Sequence, residues 1–404
     1  MTNTLKPRDA HEVEEAVRWA VSDDKRLDVV GQGSKRGIGR PSQTDLTLDL
    51  SELSGITLYE PAELILSARA GTPIADIEQL LDNNNQQLAF EPADYGPLFG
   101  SGAGRGTIGG VIAANLSGPR RIKAGAARDH FLGVTAVTGR AETIKSGGRV
   151  VKNVTGYDLC KVFAGSWGTL AAMTEVTLKV LPKPETEATV VIGGLSDAQA
   201  CAAMAAGMGS PYDVSGAAHV PDHVAACFEG LPKTEASTVL RLEGFAPSVK
   251  HRQETLSALM KSHGAVTILD EIPSGMLWRS IRDVKAFALS SARHRPLWRL
   301  SVPPASAHRL VDFITPAAQM LYDWAGGLVW IGMPYADEPD ARSVRNAIFQ
   351  LGGHATLLRA PAAVRAGAEV FQPEEPALAA LTRRVKEGFD PKGILNPGRM
   401  YAGI

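Results

Sequence analysis

Val29-Val30-Gly31-Gln32-Gly33-Ser34-Lys35-Arg36-Gly37-Ile38-Gly39 is the stretch on which the fold turns. It places four glycines and two cations directly after a short apolar strand, where ligand loops are often carried. A dinucleotide fingerprint of the Rossmann type needs its glycines to open a helix whose N-terminus receives the pyrophosphate. Here Pro41 and the alternating Asp45-Leu46-Thr47-Leu48-Asp49-Leu50 follow instead, so the helix is missing. The phosphate loop of nucleoside triphosphatases fails too, because no Gly-Lys-Ser/Thr closes the stretch. Two readings remain. One is a nest in which the consecutive amides of Gly31 to Lys35 converge on a pyrophosphate, with Ser34 and Lys35 adding donors. The other is a tight turn between two strands.

Working outward, Asp9 and Glu12 resemble a capping box, and Val13, Ala16, Val17, Ala20 and Val21 fall on one helical face. Leu27–Val30, Leu46–Leu48–Leu50 and Leu64–Leu66–Ala68–Ala70 read as strands. Thr72 as cap and Pro73 in the first turn predict a second helix with Ile74, Ile77, Leu80 and Leu81 inside. A strand is expected at Leu88–Phe90, followed by a shaped loop where Gly100, Gly102, Gly104, Gly106, Gly109 and Gly110 crowd together. Within that crowd, Thr107-Ile108-Gly109-Gly110-Val111-Ile112-Ala113-Ala114-Asn115 combines small side chains, which let backbone touch a flat ligand, with two polar donors. It also reads as a buried, tightly packed loop. A third block runs Lys152-Asn153-Val154-Thr155-Gly156-Tyr157-Asp158-Leu159 and on to Gly165-Ser166-Trp167-Gly168-Thr169-Leu170, with a short helix expected over Tyr157–Ala164. A strand through Val176, Leu178 and Val180 stops at Pro182.

A chain of 404 residues is expected to form two domains. The pattern sets an N-terminal domain over 1–184 and a second over 185–350. In the latter, strands at Thr189–Ile192, Val239–Glu243 and Val266–Leu269 alternate with helices at Ala198–Met208 and Lys250–His263. A comparable set follows at Trp298–Val302, Ala307–Ile314, Leu328–Ile331 and Ala341–Leu351, which suggests a ferredoxin-like layer in two related halves. The remainder, 351–404, holds a helix marked by Ala377, Leu378, Leu381 and Val385 and ends in the turn-rich Phe389–Met400. The fold class is therefore α+β.

Lys and Arg number 42 against 43 Asp and Glu, for a net charge of −1. No global field gathers nucleic acid or anionic membrane. Cys160, Cys201 and Cys227 show no spacing for zinc, an iron–sulfur cluster or a disulfide framework. No signal-like segment and no run of about 18 apolar residues is present, so a cytoplasmic protein that meets membrane only through partners is expected. His219 and His223 stand four apart, but Pro221 between them spoils a helix, and no metal is expected.

Three strings occur in order: GQGSKRGIG at 31–39, TIGGVIAAN at 107–115, and VVKNVTGYDLCKVFAGSWGTL at 150–170 ahead of TEVTLKVLP. At these residues the chain resembles the FAD-binding domain of the vanillyl-alcohol oxidase and p-cresol methylhydroxylase family. With GPRRIKAGAARDHFLG at 118–133 and LNPGRMYA at 395–402, it looks most like the smaller FAD-binding subunits of bacterial glycolate oxidase complexes. The resemblance implies a two-part FAD-binding domain, a ferredoxin-like α+β cap and a C-terminal helix that returns to the flavin domain. By it, Gly31, Gln32, Gly33, Ser34 and Lys35 would hold the pyrophosphate, and Thr107, Ile108, Gly109, Gly110 and Asn115 the middle of the cofactor. Tyr157, Gly168 and Met173 would lie near the adenine side or the centre, and Asn396 and Gly398 near the isoalloxazine. Some relatives attach flavin through a histidine in the first loop; Ser34, Lys35 and Arg36 stand there instead, so noncovalent FAD is expected.

Oxidising a 2-hydroxy acid calls for a cation on the carboxylate and a base near the hydroxyl. Relatives that oxidise D-2-hydroxy acids carry a His-x-Gly-Asp-Gly-Asn-x-His string, which is absent here. The substrate-side candidates are His354 with Arg359, and Arg279 with Arg282; each also reads as a capping histidine or a solvated helix arginine. Pro119-Arg120-Arg121-Ile122-Lys123 reads equally as a phosphate or partner contact and as a solvated loop. With no cluster in the chain, the resemblance implies an iron–sulfur subunit as electron acceptor and a larger paralogous flavin subunit that oxidises glycolate. Two alternatives stand beside this: a self-sufficient D-2-hydroxy-acid dehydrogenase, and a flavoprotein that only organises the complex.

Overall fold

The computed structural model describes residues 3–149, 156–289, 291–335 and 337–404, which form two units. The first comprises Met1–Ser117, Ala126–Lys183 and Pro373–Ile404; the second comprises Gly118–Gly125 and Pro184–Gln372.

In the first unit, the Asp9 carboxylate accepts the Glu12 amide at 2.8 Å and opens the helix Ala10–Ser22. That helix buries Val13, Val17 and Ala20 among Leu27, Leu46, Leu48, Ile394 and Leu395. Each large side chain so buried contributes about 1.5–3 kcal/mol. The helix is the crossover that lets Asn3–Leu5 and Leu27–Val30 run parallel on either side of Leu46–Asp49. The glycine stretch 31–39 thus leaves the end of a parallel strand. An antiparallel five-stranded sheet completes the unit, in the order Ile56–Glu60, Ile65–Arg69, Ala171–Lys179, Phe131–Thr138, Thr143–Gly147.

Several expectations need correction. Thr72 is not a helix cap: Pro73 precedes the helix Ile74–Asp82, and the Thr72 hydroxyl bonds the carbonyls of Arg69 and Gly55. Leu88–Phe90 forms no strand; the pairing falls one step earlier, Gln86–Gln87 against Leu181–Pro182. The glycine-dense block is not loop throughout. Ile108–Ala114 is a helix, because Thr107 Oγ1 caps it by accepting the Gly110 amide and small residues let it lie close to its neighbours. The short helix expected over Tyr157–Ala164 spans Leu159–Phe163 behind an Asp158 cap.

The second unit is one eight-stranded antiparallel sheet made of two halves. Thr186–Gly193, Gly216–Val220, Ser237–Gly244 and Val266–Leu269 form the first; Leu297–Ser301, Gln319–Asp323, Leu328–Gly332 and His354–Arg359 form the second. Counted within each half, the spatial order is 4-1-3-2, and the two halves join through their second strands at the pair His219 and Tyr322. This is the ferredoxin-like arrangement twice over. Helices Asp197–Met208 and Ala341–Leu351 fall where expected; the helix expected at Lys250–His263 begins four residues earlier and spans Ala246–Met260, and the expected helix at Ala307–Ile314 is a 3₁₀ helix over Pro304–Asp312. The second unit ends at Gln372 rather than 350, since His354–Arg359 pairs along Leu297–Ser301 and cannot leave that sheet.

Candidate cofactor site

In the first unit a cleft encloses some 680 Å³ of empty space, including its open mouth. Gly31, Gln32, Gly33, Ser34, Lys35, Thr107, Gly109, Gly110, Gly168 and Met173 line it together with Val29, Ala70, Ala113, Trp167 and Arg399. Ten residues named from separate stretches of sequence therefore meet around one space.

One wall is the loop after Leu27–Val30. Among the described residues, none of the amides from Gly31 through Lys35 donates to a protein acceptor. Five consecutive unused donors are costly unless solvent or a ligand takes them, and an oxyanion is the acceptor such a run fits. Gly33 has φ +77°, which turns the run, and its missing Cβ would point into open space. Lys35 Nζ donates to Ser34 Oγ at 3.1 Å and lies over Gly110. Burial pushes its pKa down to about 8; Asp94 opposes the shift and Arg399 adds to it.

The facing wall is the helix Ile108–Ala114. Its first amides are already used, Ile108 by Thr72 O, Gly109 by Ala70 O and Gly110 by the Thr107 hydroxyl. The helix end shapes the cleft without offering it donors. Packing is close here: a Cβ on Gly109 would stand 2.7 Å from Ala70 Cβ and 2.8 Å from its carbonyl, and one on Gly31 would overlap the Thr107 hydroxyl. Only glycine lets the two walls approach to this distance.

The C-terminal segment braces the cleft from behind and brings Arg399 to its lining. Asn396, fully buried and at φ +43°, accepts the Val29 amide at 2.7 Å and donates to Trp167 O at 2.8 Å. Lys386, also buried, donates to Thr169 O, Asp390 Oδ2 and Leu395 O. Burial lowers its pKa while Asp390 raises it. Arg399 donates to Lys35 O at 3.0 Å, with its guanidinium 5.7 Å from the Trp167 ring.

The remaining named residues stand elsewhere. Ile108 is fully buried beneath the cleft. Asn115 ends its helix at φ +49° and accepts the Arg128 amide. Tyr157 is 90 % exposed. Gly398 lines a different, basic pocket with Arg26, Arg40 and Lys392. Lys152, Asn153, Val154 and Thr155 of the third block lie outside the described residues. Asn396 holds the site together instead of lining it. Arg399 was missed by sequence reasoning, although it sits inside the closing Leu395–Ala402 string that was recognised.

The substrate-side candidates, all in the second unit, do not assemble. Arg282 is held by Asp283 at 2.8 and 2.9 Å. Arg359, buried and pushed down to about 10, donates to the carbonyls of Arg295, Phe287 and Ala292. His354 stands at the opposite end of the same strand. His219 bonds Thr238 and faces Asp197, while His223 accepts the Met320 amide, so both imidazoles are structural. No metal-binding group of His, Cys, Asp or Glu is found among the described residues.

Fold and cleft define an FAD-linked oxidoreductase. Residues 2–147 match the FAD binding domain family, and 368–400 match the C-terminal domain of FAD linked oxidases. The chain belongs to the family of the glycolate oxidase subunit GlcE: it is 34 % identical to that of Escherichia coli K12 over 96 % of this chain and 97 % of the relative. It is also 26 % identical to the Bacillus subtilis glycolate oxidase subunit GlcD, over 98 % and 88 % of the two chains, and 24 % identical to a D-lactate dehydrogenase of Archaeoglobus fulgidus, over 98 % and 90 %. Among solved structures, an alkyldihydroxyacetonephosphate synthase superposes with a TM-score of 0.73 at 17 % identity, covering 98 % of this chain and 75 % of that one; this shows the shared fold. The cofactor is FAD.

Proposed function

We propose that the chain is the FAD-binding subunit of a complex that oxidises glycolate to glyoxylate. The observation that carries this is the run of five unused amides from Gly31 to Lys35 facing a glycine-walled cleft in a chain similar throughout to GlcE. The amides and Lys35 bind the pyrophosphate, Gly109 and Gly110 admit the flat body of the cofactor, and Met173 and Ala171 supply an apolar wall that excludes water. When bound, FAD supplies the capacity to accept an electron pair and release electrons singly. Arg399 fixes the loop by holding Lys35 O, and adds positive charge beside the cleft.

No histidine, cysteine or tyrosine is among the described residues lining the cleft, which supports noncovalent attachment. Trichloroacetic acid should therefore leave a colourless pellet and a yellow supernatant, and a pellet that stays yellow would contradict this. With Arg282 and Arg359 engaged by their own unit, the chain works with partners: a larger paralogous flavin subunit that takes hydride from glycolate, and an iron–sulfur subunit that receives electrons. No helix of the described residues is long and apolar enough to cross a membrane, so membrane contact is assigned to those partners. The discriminating experiment is anaerobic addition of glycolate to the purified chain alone and to the assembled complex. The isolated chain should keep its oxidised spectrum and the complex should bleach; bleaching of the isolated chain would make it a self-sufficient dehydrogenase.

A further inference from the structure

The five-stranded sheet of the first unit carries another cavity, which the cofactor does not use. It encloses some 540 Å³ of empty space, its open mouth included. Small-ligand sites usually measure about 300–1,000 Å³. Hydroxyls and charges dominate the lining, through Thr57, Ser67, Thr135, Thr177, Lys145 and Glu175.

Strand register fixes which side of the sheet this is. Ala136 pairs with Met173, and Thr135 pairs with Glu175. Neighbours along a strand point to opposite faces, so Thr135 and Glu175 look away from Met173, which lines the cofactor cleft. Lys145 pairs with Thr135 from the other side, and Thr177 pairs with both Gly133 and Ser67. One row across this face is therefore Ser67, Thr177 and Gly133, and the next is Glu175, Thr135 and Lys145. Gly133 stands opposite Gly147, so the trough between the rows has no side chain at that end.

The bottom of the trough holds a donor with no acceptor. Ser67 Oγ and Thr177 Oγ1 lie 2.8 Å apart and are 4 % and 8 % exposed. Each hydroxyl carries one proton, and only one of the two protons can lie between them. The other is left to give, and among the described residues nothing in the protein accepts it. A buried donor in that state calls for an acceptor brought by the contents of the cavity.

At the rim, Lys145 and Glu175 flank Thr135, yet neither forms an ion pair or side-chain hydrogen bond among the described residues. Arg149 adds a second cation. The lining thus asks for anionic oxygen on one side, a hydroxyl donor for the Glu175 carboxylate, and an oxygen acceptor at the bottom. A phosphate monoester of a sugar offers all three.

We propose that this cavity binds a sugar phosphate, with the phosphoryl group against Lys145 and Arg149 and the sugar hydroxyls against Glu175 and the Ser67–Thr177 pair. The site lies wholly within the first unit and shares none of its lining residues with the cofactor cleft.

The test is a calorimetric titration of the full chain carrying FAD. Glucose 6-phosphate is the probe, with inorganic phosphate and glucose at equal ionic strength as comparisons. Glucose 6-phosphate should bind saturably and at least about tenfold more tightly than either comparison. Lys145→Gln, at an exposed position, should weaken it about tenfold or more, as loss of a charge-assisted bond does. Glu175→Gln should weaken glucose 6-phosphate while leaving phosphate unchanged or tighter, a split that general damage to the fold would not produce. Absence of saturable heat, an affinity matched by phosphate or by glucose, or a glucose 6-phosphate affinity unchanged in both variants would overturn the proposal. The flavin absorbance of the same samples keeps the two sites apart: a chain that holds FAD but takes up no glucose 6-phosphate loses only this one.

Discussion

Lys35 is the most informative single side chain. Its charged form is disfavoured by burial until a pyrophosphate arrives, so binding of FAD should draw a proton back onto it near its apoprotein pKa of about 8. Titrations of FAD across that pH should show affinity falling as pH rises through about 8, and Lys35→Met should be both weaker, by roughly 10–100-fold, and flat with pH. The sign for the apoprotein is opposite. Its folded pKa lies below the ordinary lysine value, so the unfolded chain binds more protons between the two, and apoprotein stability rises with pH across that window. A pH-independent affinity in the native chain would remove Lys35 from the pyrophosphate. Gly31→Ala tests the wall: the added methyl meets the Thr107 hydroxyl, and FAD content per chain should drop sharply while the far-ultraviolet dichroism stays native. The loop was legible because glycine spacing and an alternating strand behind it exclude other phosphate loops. Arg399 was not, since an arginine hundreds of residues away shows nothing in sequence of the Lys35 carbonyl it will hold.

At the level of elements, the C-terminal helix Pro376–Phe389 works by its last turns. Lys386 is the residue it buries, and Leu378 and Leu381, which its pattern marks as apolar, stay about half exposed. Removing one partner of a buried ion pair typically costs about 3–5 kcal/mol. Lys386→Met should therefore lower the urea midpoint substantially and free Thr169 and Leu395 together. Asn396→Ala, which strands the Val29 amide and the Trp167 carbonyl, should cost about 1–3 kcal/mol and loosen FAD, measured by its release on dilution. A variant at Asn396 with unchanged FAD release would leave the asparagine a mere cap. Helices with long apolar periods, such as Ala10–Ser22 and Ala341–Leu351, could be read directly from periodicity. Ile108–Ala114 could not, because two glycines hide it and only the Thr107 cap and the close approach to Ala70 make it stable.

For the molecule as a whole, the repeated 4-1-3-2 order of the second unit explains why its two halves looked alike in sequence and why the boundary at 350 was set too early. A half counted by helices ends before its fourth strand, and that strand closes the sheet at Arg359. The same scale carries the role in the complex. A cofactor-free Gly31→Ala chain should still assemble with its partners yet abolish glycolate-dependent dye reduction, and full activity in that assembly would reduce FAD to a structural element.

Recognition of a pyrophosphate by the unpaired amides of Gly31 to Lys35 is open to direct test. Its most direct measurement compares the affinities of the apoprotein for FAD and for riboflavin by fluorescence quenching. FAD should bind at least about 100-fold more tightly, since riboflavin leaves those donors and Lys35 without an anion. Equal affinities would contradict it.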